Sequence, residues 1–260
     1  MRFIRCAMLL LGLAVAGSAS AARFVVTTPM DGVPGSLRAA INNANASPGR
    51  DTIDFDIDDK IWGAGPWTLT FVSAPPVISS PVTIRGFSQA GSRPGIPAQV
   101  MIEIDYGSIP FTDDDFAAAL TFVRGAEKSV VNGLGFFGKN PRNSAPVLIL
   151  ADDVRIGGSL FGVRADGSVV GLGHSGIGSL MSQRTTIGGA SLEEGNVFAG
   201  IETAIVIDGG GHTIHNNAFG SDTWRTYSSG SLISRHGILT GRIALMVPRA
   251  YRSIYTIADQ

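Results

Sequence analysis

The stretch Val147-Leu148-Ile149-Leu150-Ala151-Asp152-Asp153-Val154-Arg155-Ile156-Gly157-Gly158-Ser159-Leu160-Phe161-Gly162 has a counterpart further along the chain. Shifted by roughly 58 residues it falls without a gap on the segment that begins at Ile205. Ile149 then meets Ile207, Ile156 meets Ile214, Phe161 meets Phe219 and Gly162 meets Gly220. With a small insertion, His174-Ser175-Gly176-Ile177 also meets Arg235-His236-Gly237-Ile238. Inside this long repeat, apolar clusters recur every roughly 20 to 30 residues, the length of one solenoid coil, so the long unit reads as two coils. The pairs Phe137-Gly138, Phe161-Gly162 and Phe219-Gly220, with Phe198 nearby, predict an aromatic stack along the interior. Such a stack adds about 0.5–1.5 kcal/mol per ring pair beyond the buried area.

Outward from this stretch, short apolar runs continue the pattern. Thr52-Ile53-Asp54-Phe55, Val100-Met101-Ile102-Glu103-Ile104, Leu120-Thr121-Phe122-Val123 and Ala204-Ile205-Val206-Ile207 are each bounded by Gly, Asp, Asn or Pro. Many short strands without intervening helices exclude a doubly wound α/β fold and leave a sandwich, a barrel or a solenoid. The internal repeat selects the solenoid. The 34 glycines among 260 residues are about twice the usual share of roughly 7% and fit many tight corners. One helix is expected: Leu37, Ala40, Ile41 and Ala44 form an apolar stripe, Ser36 is a suitable N-cap and Pro48-Gly49 ends it. An open coil stack exposes unpaired strand edges and core at its first coil, so this helix, Ser36 to Asn45, is assigned as a cap.

Ahead of the coils, Arg2 and Arg5 precede an apolar run from Met8 to Ala16, and Ala19-Ser20-Ala21 has the small-x-small pattern of a signal-peptidase site. The run is well short of the roughly 20 residues that span a bilayer, so the expectation is export with cleavage after Ala21 and no transmembrane segment in the mature chain. Cys6 is the single cysteine, and its loss with the leader leaves packing and backbone hydrogen bonds to hold the fold, without disulfides or thiolate metal sites. A net charge of -1 gives no nucleic-acid footprint, although Arg225, Arg235, Arg242, Arg249 and Arg252 make the C-terminal stretch basic. The expected organisation is a signal peptide over 1–21, an N-terminal strand and capping helix over 22–50, coils over 51–241, and a divergent or truncated C-terminal coil over 242–260.

Val26-Thr27-Thr28, then Pro34-Gly35-Ser36-Leu37-Arg38-Ala39-Ala40-Ile41-Asn42-Asn43-Ala44-Asn45 and Asp51-Thr52-Ile53-Asp54-Phe55, resemble the N-terminal segment of large bacterial surface proteins. These are the right-handed parallel β-helix repeat proteins of the CSLREAD and pectin-lyase-like type. Pro81-Val82-Thr83-Ile84-Arg85-Gly86-Phe87-Ser88-Gln89-Ala90-Gly91 is similar to the block that follows in them. Thr185-Thr186-Ile187-Gly188-Gly189, Gly195-Asn196-Val197-Phe198 and Phe219-Gly220-Ser221-Asp222 resemble their repeat unit. The resemblance covers roughly residues 24 to 222 and weakens after Arg242. It implies an all-β, right-handed parallel β-helix and an extracellular or cell-surface location. It implies no single reaction, because one fold hosts many functions.

Within that fold the residues offer two functional classes. Asp152-Asp153 followed by His174 is superficially similar to the Asp-Asp and Gly-His-Gly signatures of polygalacturonases, whose paired carboxylates protonate a leaving oxygen and activate water. Val147-Leu148-Ile149-Leu150 stands where Asn-Thr-Asp is expected, and Arg242-Ile243 runs into Ala244 instead of Lys. The internal repeat also aligns Asp152 and Asp153 with Gly210 and Gly211, which reads as a strand corner. Asp113, Asp114 and Asp115 carry the hard oxygen ligands that Ca²⁺ takes, but three adjacent aspartates after Pro110 more often form a solvated loop, so no cofactor is assigned. His212 and His215 lack a third ligand, and Gly209-Gly210-Gly211 lacks a phosphate-loop context. The favoured expectation is a non-catalytic, adhesin-like module that binds polysaccharide or a cell-surface glycan, with Trp62, Trp67 and Trp224 as contacts. The alternative is a polysaccharide lyase or a polygalacturonase-like hydrolase acting on an acidic polysaccharide.

Overall fold

The computed structural model describes residues 20–112, 117–140 and 145–220, together with the backbone of two strands, Ser228–Ile233 and Ile243–Met246. The first coil holds β1 (Arg23–Val26) and α1 (Leu37–Ala46). The second holds β2 (Asp51–Phe55), the single-turn helix α2 (Asp59–Trp62) and β3 (Trp67–Leu69). Three strands per turn follow: β4 (Val82–Arg85), β5 (Ile102–Asp105) and β6 (Leu120–Phe122), then β7 (Val130–Asn132), β8 (Leu134–Phe137) and β9 (Val147–Ile149). The next turns are β10 (Arg155–Gly157), β11 (Leu160–Phe161) and β12 (Gly173–Gln183), then β13 (Thr186–Gly188), β14 (Val197–Ala199) and β15 (Ile201–Gly210). β16 (Thr213–Gly220) bends across a corner, and β17 (Ser228–Ile233) and β18 (Ile243–Met246) pair antiparallel with β16 and β15.

Strands one coil apart pair in parallel, and the pairing generates three faces. Face one runs β1-β2-β4-β7-β10-β13-β16, face two runs β3-β5-β8-β11-β14-β16, and face three runs β6-β9-β12-β15. Because β16 serves both of the first two faces, they form, together with β17, one 13-stranded sheet, while face three lies in a separate five-stranded sheet with β18. Neither sheet closes on itself among the described residues. The architecture is therefore parallel, β-rich and solenoid-like, as the repeat predicts. The roughly 58-residue unit is two coils: β9 pairs with β12 and β12 with β15, carrying Ile149 through Ser179 to Ile207.

Each face has its own inward row, set by the two-residue alternation of a strand. On face one, Phe24, Ile53, Ile84, Val131, Ile156, Ile187 and Ile214 occupy successive registers, which suits β-branched side chains on a pleated surface. On face two the inward row turns aromatic. Phe136, Phe161, Phe198 and Phe219 stack at centroid separations of 5.1, 4.8 and 5.3 Å with planes within 14° of parallel. This corrects one member of the expected stack, which starts at Phe136 and not at Phe137. Phe161 pairs in register with Phe136. Phe137 lies one position further on, at the level of Asp105, and its ring is covered by the Arg164 guanidinium at 4.4 Å. The glycine after Phe161 has a steric cause: Gly162 sits at φ +76, and a Cβ there would lie 2.0 Å from the Ala199 carbonyl oxygen.

The predicted helix is present as α1, with Ser36 as N-cap accepting from the Ala39 N–H. Leu37, Ala40, Ile41 and Ala44 face the core. Arg38 donates to both Asp31 carboxylate oxygens at 2.8 Å and to the Ser73 and Ala74 carbonyls, beside the outermost strand of face two. Asn45 bonds the Val77 carbonyl and the Ser79 N–H, flanking Ile78, which bridges to Phe122 at the edge of face three. α1 is thus fastened through Arg38 and Asn45 to the chain between Ser73 and Ser79. Burial pushes the Asp31 carboxyl up, but the Arg38 guanidinium and the Val72 N–H outweigh it and hold it below the usual range.

Candidate functional site

A stack in register turns any outward position into a straight row with one side chain per coil, roughly 4.8 Å apart. On face one, such a row runs Arg23, Thr52, Thr83, Val130, Arg155, Thr186 and Thr213. Arg155 is exposed, and the four threonines are partly accessible. The result is a narrow strip of hydroxyls, methyl groups and guanidinium along the coil axis.

The neighbouring outward row carries charge that is internally neutralised. Asp54, 1% exposed, receives Arg85 at 2.6 Å through both Nε and Nη2, and Arg23 from the opposite side. Arg85 holds the Asp54 carboxyl below the ordinary carboxylate range, and burial opposes it only in part. Asp54 raises Arg85 in return. Face two repeats the arrangement. Glu103, also 1% exposed, accepts from Arg164 at 3.0 Å and from the Ala165 N–H at 2.6 Å, and Glu103 raises the Arg164 pKa. Sequence reading missed both groups, although a signal existed: Ile53 pairs with Ile84, so the same one-coil step carries Asp54 to Arg85.

Asp152 and Asp153 lie in the turn that leads from β9 to β10, as the corner reading requires. Asp153 has φ 59 and receives Arg184 through Nε at 2.7 Å and Nη2 at 2.8 Å. Asp152 accepts from the Gln183 N–H at 2.8 Å and from Arg184 at 3.2 Å. Arg184 holds Asp153 below the usual carboxylate range. His174 does not join them. It lies three positions before Ile177 in β12, whereas Asp152 lies five positions after Val147, the residue opposite Ile177. At about 3.3 Å per residue, the two stand on the order of 20 Å apart along the face. The hydrolase alternative needs them together, and the pairing keeps them apart.

Other candidates separate in the same way. His212 is buried at the corner before β16, and its Nδ1 accepts from the Thr185 N–H at 3.2 Å. Burial lowers its pKa, against the Asp208 backbone and the charges of Asp152 and Asp208. His215 lies one residue past the inward Ile214 and is partly accessible, so the two histidines do not share a side of the strand. Trp67 is a correction: it is 8% exposed, packed in the core, with Nε1 donating to the Gly63 carbonyl, because it opens β3 on an inward position. Trp62 is exposed at 36%. Asp113, Asp114, Asp115, Trp224, Arg235, His236 and the basic residues from Arg242 onward, apart from the backbone of β18, lie outside the described residues. Among the described residues, no three His, Cys, Asp or Glu side chains gather as metal ligands, and no helix is long and apolar enough to cross a membrane.

The class defined by this geometry is a parallel, solenoid-like β protein whose buried carboxylates are largely answered by arginines from other coils. No protein-family model matches the chain, and no curated protein matches it at a significant level.

Proposed function

We propose that the chain is a right-handed parallel β-helix, exported and displayed outside the cell or on its surface, where it binds a linear polysaccharide without cleaving it. The handedness follows from the strong right-handed preference of parallel crossovers, and the three-faced stack supports it. The resemblance of residues 24 to 222 to β-helix surface proteins supports the location.

The observation that carries the binding reading is the strip Thr52-Thr83-Val130-Arg155-Thr186-Thr213 on face one. A linear glycan presents hydroxyls and apolar ring faces at regular intervals, and this strip presents hydroxyls and methyl groups at regular intervals opposite it. Arg155 is an exposed cation on it and favours an acidic sugar. Against cleavage stand the salt-bridged Asp152 and Asp153 and the distant His174.

The test is a glycan array on the mature chain, followed by incubation with polygalacturonate with and without Ca²⁺. Binding to acidic polysaccharide without unsaturated products or new reducing ends is expected. Thr186→Glu with Thr213→Glu, which puts negative charge on the strip, is expected to weaken binding at least tenfold. Silence across the array contradicts the reading, and released products establish the enzyme alternative in its place.

A further inference from the structure

Asp51 opens β2 with its side chain fully buried. Its Oδ1 accepts from the Ala22 backbone N–H at 2.7 Å, and its Oδ2 is buried without any partner. Asp54 and Glu103 are answered by arginines, but no cation reaches Asp51 among the described residues. Arg50, next to it in sequence, donates instead to the Lys128 carbonyl. The backbone N–H of Asp51 is taken by the Pro81 carbonyl. A carboxylate out of water with half its acceptors idle is costly unless a charged donor completes it.

The donor it does have is the residue that follows the expected cut. Ser20 and Ala21 are exposed, whereas Ala22 is held on both sides: its N–H by Asp51 and its carbonyl by the Thr52 N–H at 2.8 Å. Among the described residues, Ala22 is thus held by hydrogen bonds directly after the expected cut at Ala19-Ser20-Ala21.

We propose that hydrolysis of the Ala21–Ala22 bond completes a processing-dependent latch, in which the freed α-ammonium of Ala22 docks on the buried Asp51 carboxylate. In that step water adds its oxygen to the Ala21 carbonyl carbon, the C–N bond breaks, Ala21 leaves as a carboxylate and the Ala22 nitrogen becomes an ammonium. The precursor's single amide N–H serves one carboxylate oxygen. The ammonium has three donors and a positive charge, so it serves both oxygens and neutralises the buried charge. The precursor then has a weaker first coil than the mature chain, which favours late locking of the end that must thread through the export machinery. This inference rests on the reading that the chain is exported and cut.

The experiment has two arms. In the first, the full chain is exported from a bacterial host and the product is sequenced from its N-terminus, with Ala22 expected first. A different first residue overturns the latch while leaving export intact, and a product that keeps its leader inside the cell overturns the export reading as well. In the second, chains beginning at Ala22 and at Ser20 are released from cleavable tags, each with and without Asp51→Asn. The Ala22 amine is expected to titrate at least one unit above the ordinary α-amino range of roughly 7.7–8.0, measured by NMR. Asp51→Asn is expected to return it to that range and to lower the melting temperature more in the Ala22 chain than in the Ser20 chain. An amine in the ordinary range, or equal losses in both chains, overturns the proposal. Should Asp51→Asn not fold, the titration of the unsubstituted Ala22 chain decides alone.

Discussion

Asp54 with Arg85 and Asp153 with Arg184 meet across a single coil because the coils are stacked, whereas Arg164 reaches Glu103 from the loop after β11, since the strand register itself carries Glu103 to Gly135 and then to Leu160. Charge at this scale follows from which coils meet and not from proximity in sequence alone: the adjacent carboxylates Asp152 and Asp153, expected at a strand corner, both bond Arg184 one coil on. His212 has a different consequence. Its Nδ1 must stay unprotonated to accept the Thr185 N–H, and burial depresses its pKa below the ordinary value of about 6.5. The unfolded chain therefore takes up the proton first. The stability this group contributes is complete above about pH 6.5 and is lost as the pH falls through the folded pKa, by at most about 1.4 kcal/mol per pH unit. Asp54 and Asp153 are held below the usual carboxylate range, so their loss comes only in more acid solution, below about pH 4. Urea midpoints at pH 7.5 and 5.5 check this: the native chain is expected to lose stability over the interval and His212→Gln to lose clearly less. Equal pH dependence in both would show that another group titrates.

The elements were legible to different degrees, for physical reasons. The sequence predicts a helix from Ser36 to Asn45 and the structure has Leu37–Ala46 with Ser36 capping it, because a 3.6-residue stripe and an N-cap are local signals. The phenylalanine stack was legible as a motif but not in its first member, because Phe136 and Phe137 are adjacent and only the register with Phe161 decides which points inward. The face of Trp67, expected at the surface and found in the core, is illegible for the same reason, since a three-residue strand carries too little alternation to fix it. The stack makes its own prediction. Phe161 is sandwiched between two rings at 5.1 and 4.8 Å, whereas Phe136 has one stacked neighbour, so Phe161→Ala loses two aromatic contacts and Phe136→Ala one. Both are expected to cost about 3–5 kcal/mol through cavity formation, with Phe161→Ala the larger by roughly 0.5–1.5 kcal/mol. Denaturant midpoints of the two variants measure the difference, and equal losses would mean that the stacking adds nothing beyond burial.

At the scale of the molecule, one operation explains most of what is observed. Each coil lays its strands on those of the previous coil, so inward rows become the core, outward rows become strips and ladders, and each end is left needing a cap or a latch. The internal repeat made this visible in sequence because two coils share a length of roughly 58 residues. The Glu103–Arg164 salt bridge was not visible, because insertions make the individual coils unequal: Ile84 to Val131 spans far more chain than Val131 to Ile156, though each is one step in the stack. Cysteine pairs test the stacking directly in a chain that starts at Ala22 and so lacks Cys6, the single cysteine of the sequence. Register partners lie roughly 4.8 Å apart, within reach of a disulfide, whereas residues two coils apart lie at about twice that and beyond it. Arg155→Cys with Thr186→Cys, and Thr186→Cys with Thr213→Cys, are predicted to cross-link on mild oxidation, while Arg155→Cys with Thr213→Cys is predicted to stay reduced. Cross-linking of the third pair in preference to the first two would contradict the coil-on-coil register on which the whole account stands.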